Sequence, residues 1–224
     1  MRNLFIIFFS ILLFGSCKSD KKEDNKPEVF KELTAAEQIA KANGIEHWKD
    51  VTQIEFTFNV DRDSSHFERS WTWRPKSNDV TLISGKDTIS FNRKSVDSTS
   101  LNADKGFVND KYWLLAPFQL VWDKSTNISE PRKEEAPISK TEMNKITLTY
   151  SSDGGYTPGD AYDFYYGNDY VVKEWIYRAG NADEPSMMTT WEDYENFNGI
   201  KIGKTHKRPE GNWKLYFTDI KVIK

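Results

Sequence analysis

The sequence predicts a mainly β (α+β) fold: a curled antiparallel sheet, a half-barrel of about ten strands, carrying an N-terminal helix and a short central helix. Three observations carry this expectation. Strict period-two alternation recurs along the chain, as in Ile54, Phe56, Phe58 and Val60 against Glu55, Thr57 and Asn59. Aromatic residues make up 14% of the chain, and they favour strands and fill large cores. Turn signals separate the alternating runs at short intervals, and so long a sheet must twist, curl or close.

In chain order, Thr34 and Glu37 have the spacing of a capping box. Ala35–Ala42 is then helix-prone, and Gly44 is a natural stop. The first strand runs through Ile54–Val60, with one wet and one buried face. Asp61–Ser65 turns. Phe67, Trp71 and Trp73 then share a face, with Arg69 the exception. Val80/Leu82 and Ile89/Phe91 flank Gly85-Lys86-Asp87 as a hairpin. The period changes over 107–121. Phe107, Trp113/Leu114 and Phe118 recur at helical spacing, Asn109 or Asp110 offers a cap, and Pro117 an end. Residues 124–144 are polar with two prolines and read as a long loop. Strands resume at Ile146–Tyr150. A turn-rich stretch holds Gly154, Gly155, Pro158, Gly159 and Asp160, a structural turn that requires positive φ at one of its glycines at least. Ala161–Tyr166 and Val171–Tyr177 flank Gly167-Asn168-Asp169, and three strands follow near 188–195, 200–206 and 214–223, with Asn198-Gly199 as a turn. Tyr216, Thr218, Ile220 and Val222 alternate with Phe217, Asp219 and Lys221 in the last of them.

Residues 1–16 read as a secretory signal: Arg2 is the positive end, Leu4–Phe14 is apolar but for Ser10, and Gly15-Ser16 is small. The run is shorter than the ~20 apolar residues that span a bilayer. Cys17 is the only cysteine, so no internal disulfide is available. Gly15-Ser16-Cys17 resembles the lipobox of bacterial lipoproteins, with Phe14 where leucine is commonest. That resemblance implies cleavage before Cys17 and its acylation, making a membrane the chain's partner through Cys17. Two or three acyl chains would hold durably, at about 0.8 kcal/mol per buried methylene. Residues 17–32 then form a lipidated, highly charged tether, and 33–224 the β-rich domain. The acidic-containing stretch after Cys17 also resembles signals for the outer face of some outer membranes, which places the chain in the cell envelope.

Two further resemblances follow. Asn109-Asp-Lys-Tyr-Trp-Leu-Leu-Ala-Pro117, Gly154-Gly-Tyr-Thr-Pro-Gly-Asp160 and the stretch from Ala36 through Trp48 resemble an uncharacterised family of bacterial lipoproteins, which implies no function. The layout of helix, meander, helical plug and final hairpin is similar to the lipoprotein-carrier half-barrels of the LolA/LolB type, which implies a concave apolar pocket for acyl chains.

The net charge of −3 gives no support for nucleic-acid binding. His47, His66 and His206 stand in no metal-ligand spacing and read as surface or turn histidines. Asp153, Asp160 and Asp163 do not match a calcium loop. Neither a nucleophile elbow nor a phosphate-binding loop is present. No cofactor, metal or catalytic residue is therefore expected, although Asp110 and Asp160 are the carboxylates from which a glycosidase pair would be drawn. The strongest remaining feature is aromatic: Tyr112, Trp113, Leu114 and Phe118, with Trp71, Trp73 and Trp175, either pack a core or line a pocket for a lipid tail or a sugar ring. The expected function is a non-enzymatic envelope protein that binds a lipid or other apolar small molecule. A hydrolase or glycan-active enzyme, or a scaffold of an envelope complex, remain alternatives. The sequence leaves the oligomeric state open.

Overall fold

The Thr34 hydroxyl accepts from the Glu37 backbone while the Glu37 carboxylate accepts from the Thr34 backbone, which closes the capping box of α1 (Ala35–Ala42). Gly44, at φ +85°, ends that helix as expected. A Cβ there would stand 1.9 Å from the Gly199 carbonyl oxygen, so only glycine lets the helix end pack on the Asn198-Gly199 turn. The computed structural model describes residues 32–153 and 157–224. Gly154 and Gly155, with the leader, Cys17 and most of the tether, lie outside the described residues. Gly159 has φ +80°, as the turn-rich stretch requires of one of its glycines.

The described strands form two antiparallel sheets, curled but not closed. The first holds β1 (Gln53–Arg62), β2 (Ser65–Arg74), β3 (Asp79–Ser84), β4 (Asp87–Asn92), β11 (Glu192–Phe197), β12 (Ile200–Lys207) and β13 (Lys214–Ile223), in the order β11-β12-β13-β1-β2-β3-β4. The second holds β5 (Thr126–Ile128), β6 (Arg132–Glu135), β7 (Glu142–Tyr150), β8 (Ala161–Tyr166), β9 (Val172–Arg178) and β10 (Met187–Thr190), in the order β10-β9-β8-β7-β5, with β6 also paired to β7. Residues 124–144 are thus not one loop: β5 and β6 lie on β7 with Pro131 between them, where a missing N–H breaks the ladder. The chain passes from the second sheet to the first at Trp191. There the Trp191 backbone N–H donates to the Lys173 carbonyl (2.7 Å), and the Lys207 N–H to the Thr190 hydroxyl (3.1 Å).

The alternation of β1 holds for its apolar side. Ile54, Phe56 and Phe58 are buried and face Trp73, Trp71 and Arg69 across the β1–β2 ladder. The other side is less wet than expected. Thr57 and Asn59 are buried too, under a polar cover in which Thr57 meets Ser70 and Asp219, and Asn59 meets the Tyr216 carbonyl. Opposite them β13 carries a bulge at Asp219, which has φ +54°. The bulge shifts the parity, so Leu215 and Phe217 point inward before it and Val222 after it.

The central helix is the largest departure from expectation. It runs through α2 (Leu101–Trp122), twenty-two residues rather than a short segment. Pro117 does not end it. The helix kinks at Leu115 (φ −129°), which accommodates the proline's missing donor. Phe107, Leu114, Leu115 and Phe118 pack into the core of the first sheet with Trp71 and Trp73, while Tyr112, Ala116 and Leu120 pack into that of the second. A helix buried toward two sheets has no single apolar stripe, so its length is hidden from a periodicity reading. No described helix is long and apolar enough to cross a membrane.

Candidate functional site

The seven aromatic and aliphatic candidates do not form one site. Trp71, Trp73, Leu114 and Phe118 are core of the first sheet. Tyr112 and Trp175 belong to the core of the second, and Trp113 bridges the two. Only Tyr112, Trp113 and Trp175 also line a cavity, of about 220 Å³. Tyr162 of β8 and Tyr177 of β9 complete its aromatic walls. They stand there because Tyr162 and Tyr177 are register partners, as are Phe164 and Trp175 on the same face. Tyr162 lies 4.9 Å from Tyr112 and 5.3 Å from Trp175 between ring centroids. Asn109, Thr157 and Met187 fill the rim, so among the described residues no charged side chain lines the cavity.

Its polar groups are hydroxyls and amides. The Tyr162 hydroxyl meets Thr157 at 3.1 Å, and the Tyr177 hydroxyl donates to Asp160 at 3.0 Å. Asp160 also accepts from the Gly180 N–H, so it ties the turn-rich stretch to the end of β9. The Asn109 amide donates to Asp110 (3.0 Å). Burial holds the Tyr112 and Tyr162 hydroxyls protonated, with acidities far weaker than an ordinary tyrosine.

Behind the rim lies Asp110, which does not cap a helix as the sequence suggested but stands in the middle of α2. Asp110 is wholly buried, and Arg69, the exception on its strand face, forks onto it at 2.5 and 2.6 Å. The Trp71 indole donates at 2.7 Å. Burial pushes the Asp110 carboxyl up, and the Arg69 guanidinium opposes that. Gly106 allows the fork: a Cβ there would meet an Arg69 guanidinium nitrogen at 2.7 Å. The carboxylates of Asp110 and Asp160 are both engaged in internal bonds. On the far side of α2, Asp123 bonds the Tyr150 hydroxyl, and burial lowers Lys111 to about 8.

Of the histidines, His66 is exposed beside Asp61 and Glu68, as a surface histidine should be. His206 corrects the expectation. It is wholly buried on β12, with Nδ1 3.2 Å from the Thr190 carbonyl. Burial depresses its pKa to about 3. Asp163 is likewise no turn residue: it is buried in β8 and paired with Arg178 at 3.1 Å. Sequence reasoning also missed Tyr162, Tyr177 and Trp191. His206 shares the two-residue period of Ile200 and Ile202, both buried, but Lys204 between them on that period is partly exposed and masks the signal. Among the described residues, no group of three His, Cys, Asp or Glu side chains is arranged to hold a metal ion.

By sequence, no protein family and no curated protein matches the chain. A similar solved structure is that of a DUF1329 family protein from Desulfovibrio piger, at 10% identity and a TM-score of 0.45, covering 84% of this chain and 91% of that one. That family is itself uncharacterised, and so distant a likeness carries no residue role or function to this chain.

Proposed function

We propose that the chain is a lipid-anchored protein of the bacterial cell envelope whose β-rich domain binds a small uncharged ligand, without catalysis, in the aromatic cavity of Tyr112, Trp113, Tyr162, Trp175 and Tyr177. The carrying observation is that cavity: apolar walls, a few neutral polar groups and, among the described residues, no charged lining. It narrows the expected ligand. About 220 Å³ lies below the ~300–1,000 Å³ usual for drug-sized ligands. The helix α2 and its side chains occupy the concave interior that a long acyl chain would need. A single ring or a short apolar group fits; a whole lipid tail does not. The anchor rests on the Gly15-Ser16-Cys17 motif and the charged stretch after it.

Two experiments test the two halves. Cys17→Ser should abolish acyl labelling and release the chain from membranes; a serine variant that still partitions with membranes refutes the anchor. Native mass spectrometry of the full-length chain, purified gently from its source membranes, should show a small adduct that Trp175→Ala removes. A scaffold role is the second reading. It is favoured by the filled interior together with an apolar surface groove of about 370 Å³ along Leu33, Ala40, Ile45 and Val121. The absence of any adduct, with a co-purifying protein lost on Val121→Glu, would favour it.

A further inference from the structure

Four rings form a closed cycle where the two sheets meet. Trp113 stands 4.5 Å from Trp175, Trp175 5.4 Å from Trp191, Trp191 4.4 Å from His206, and His206 5.2 Å from Trp113, between centroids. Trp175 and Trp113 are also walls of the cavity, while Trp191 and His206 do not line it and stand in ring contact with those walls. Within this cluster four buried polar atoms have no hydrogen-bond partner among the described residues: Trp175 Nε1, Trp191 Nε1, His206 Nε2 and the hydroxyl of Thr189, the register partner of Trp175. Buried polar groups are almost always paired, so four orphans gathered in one cluster demand an account.

Their chemistry is complementary. Both indole nitrogens are donors only. His206 Nδ1 faces a carbonyl oxygen, so it carries the ring proton and donates, which leaves Nε2 as an acceptor. Thr189 can give or accept. A hydroxyl needs this mixture, since its oxygen accepts and its proton donates. A carboxylate or phosphate would find no acceptor use for Nε2, and an alkyl chain would satisfy none of the four.

We infer that the cavity and the ring cycle form one site for an uncharged hydroxylated ring, the chemistry of a pyranose sugar, in which the Trp113 and Trp175 walls shift on binding, the aromatic rings stack on the ligand's face and the orphaned atoms of Trp175, Trp191, Thr189 and His206 take its hydroxyls. This rests on the binding role proposed above and names its ligand class. His206 is then a specificity-determining acceptor at the sheet seam, not a core histidine.

Calorimetry on the full-length chain in a sugar-free detergent tests this, with methyl glucopyranoside, galactopyranoside and mannopyranoside as probes and decanoate as the acyl comparator. At least one pyranoside should bind saturably. His206→Phe and Trp191→Phe, which keep a ring but remove an acceptor or a donor, should each weaken that binding by roughly tenfold or more. Melting curves establish that each variant is folded, and either one alone suffices. Binding of decanoate but of no pyranoside overturns the ligand class while sparing the binding role; binding of neither overturns both. Pyranoside affinity unchanged in a folded variant removes the ring cycle from the site and leaves its orphans to internal water.

Discussion

Toward the first sheet, α2 buries Asp110 with its oxygens answered by Arg69, Trp71 and Asn109. At the seam beside the second sheet, Trp175, Trp191, Thr189 and His206 bury four polar atoms that no described residue answers. Both regions are aromatic and both bury polar atoms, so burial alone does not separate them. The difference is in partners. An unmet buried polar atom costs about 1–3 kcal/mol, and a chain that pairs Asp110 so completely has the means to pair others. The outer face of the second sheet makes the same point. There Lys145 reaches Glu134 at 2.9 Å, Arg178 reaches Asp163, and Glu174 accepts from the backbone of Ile138 and Ser139. Among the described residues, four of the five unpaired buried side-chain atoms gather in one cluster beside a cavity, the fifth being Asn43 Oδ1 at the end of α1, and so dense a grouping belongs to recognition rather than to the fold.

The largest expected effect lies in the paired region. Arg69→Met leaves the Asp110 carboxylate buried without its cation and should destabilise the domain by about 3–5 kcal/mol in urea unfolding. Adding Asp110→Leu should recover most of that loss. A single variant as stable as the parent would break the contrast, because pairing would then not be what holds this region.

Acid comes next. The neutral form of His206 is the one the fold accepts. Its folded pKa of about 3 lies below the unfolded value of 6.5, because burial penalises the imidazolium. The stability it confers is therefore complete above about pH 6.5 and is lost as pH falls toward 3. The slope is ~1.4 kcal/mol per pH unit. Carboxylates titrate over part of the same window, so the measurement is a difference: His206→Phe should unfold less steeply between pH 6 and 4 than the parent. Equal slopes would place His206 in water.

The smallest effect is the most telling for the unpaired region. At neutral pH His206→Phe should change stability by no more than about 1 kcal/mol, and in the stabilising direction if the unmet Nε2 dominates. A loss of several kcal/mol would mean that His206 holds the seam together.

These regions also differ in how legibly the sequence announces them. The capping box at Thr34, the hairpin at Gly85 and the inward face of Ile54, Phe56 and Phe58 are local patterns, and each appears as read. Arg69 broke its strand's pattern visibly, but its partner Asp110 is forty-one positions away on another element, and no local period links them. The length of α2 was hidden because its first half is polar, with Asn102, Asp104, Lys105, Asn109, Asp110 and Lys111, its second half is buried toward two sheets, and Gly106 and Pro117 interrupt it. The strands β5 and β6 were hidden for the opposite reason. The Arg132–Glu135 run is wholly charged, and a short charged edge strand looks like a loop. Of the site, Tyr112, Trp113 and Trp175 were found through aromatic content. Tyr162, Tyr177, Trp191 and His206 were not, because their grouping depends on strand register and on the crossing at Trp191.

The indole N–H resonances of Trp175 and Trp191 report most directly on whether the unpaired cluster is a binding site. The full-length chain would be labelled with ¹⁵N-tryptophan, assigned with Trp175→Phe and Trp191→Phe, and titrated with the methyl pyranosides. One or both signals should move downfield and saturate with a single binding constant, as a free indole N–H gains an acceptor, while the Trp71 signal, already bonded to Asp110, stays in place. Trp175 and Trp191 signals that never move at saturating sugar, or that move no more than Trp71, would contradict binding at this cluster.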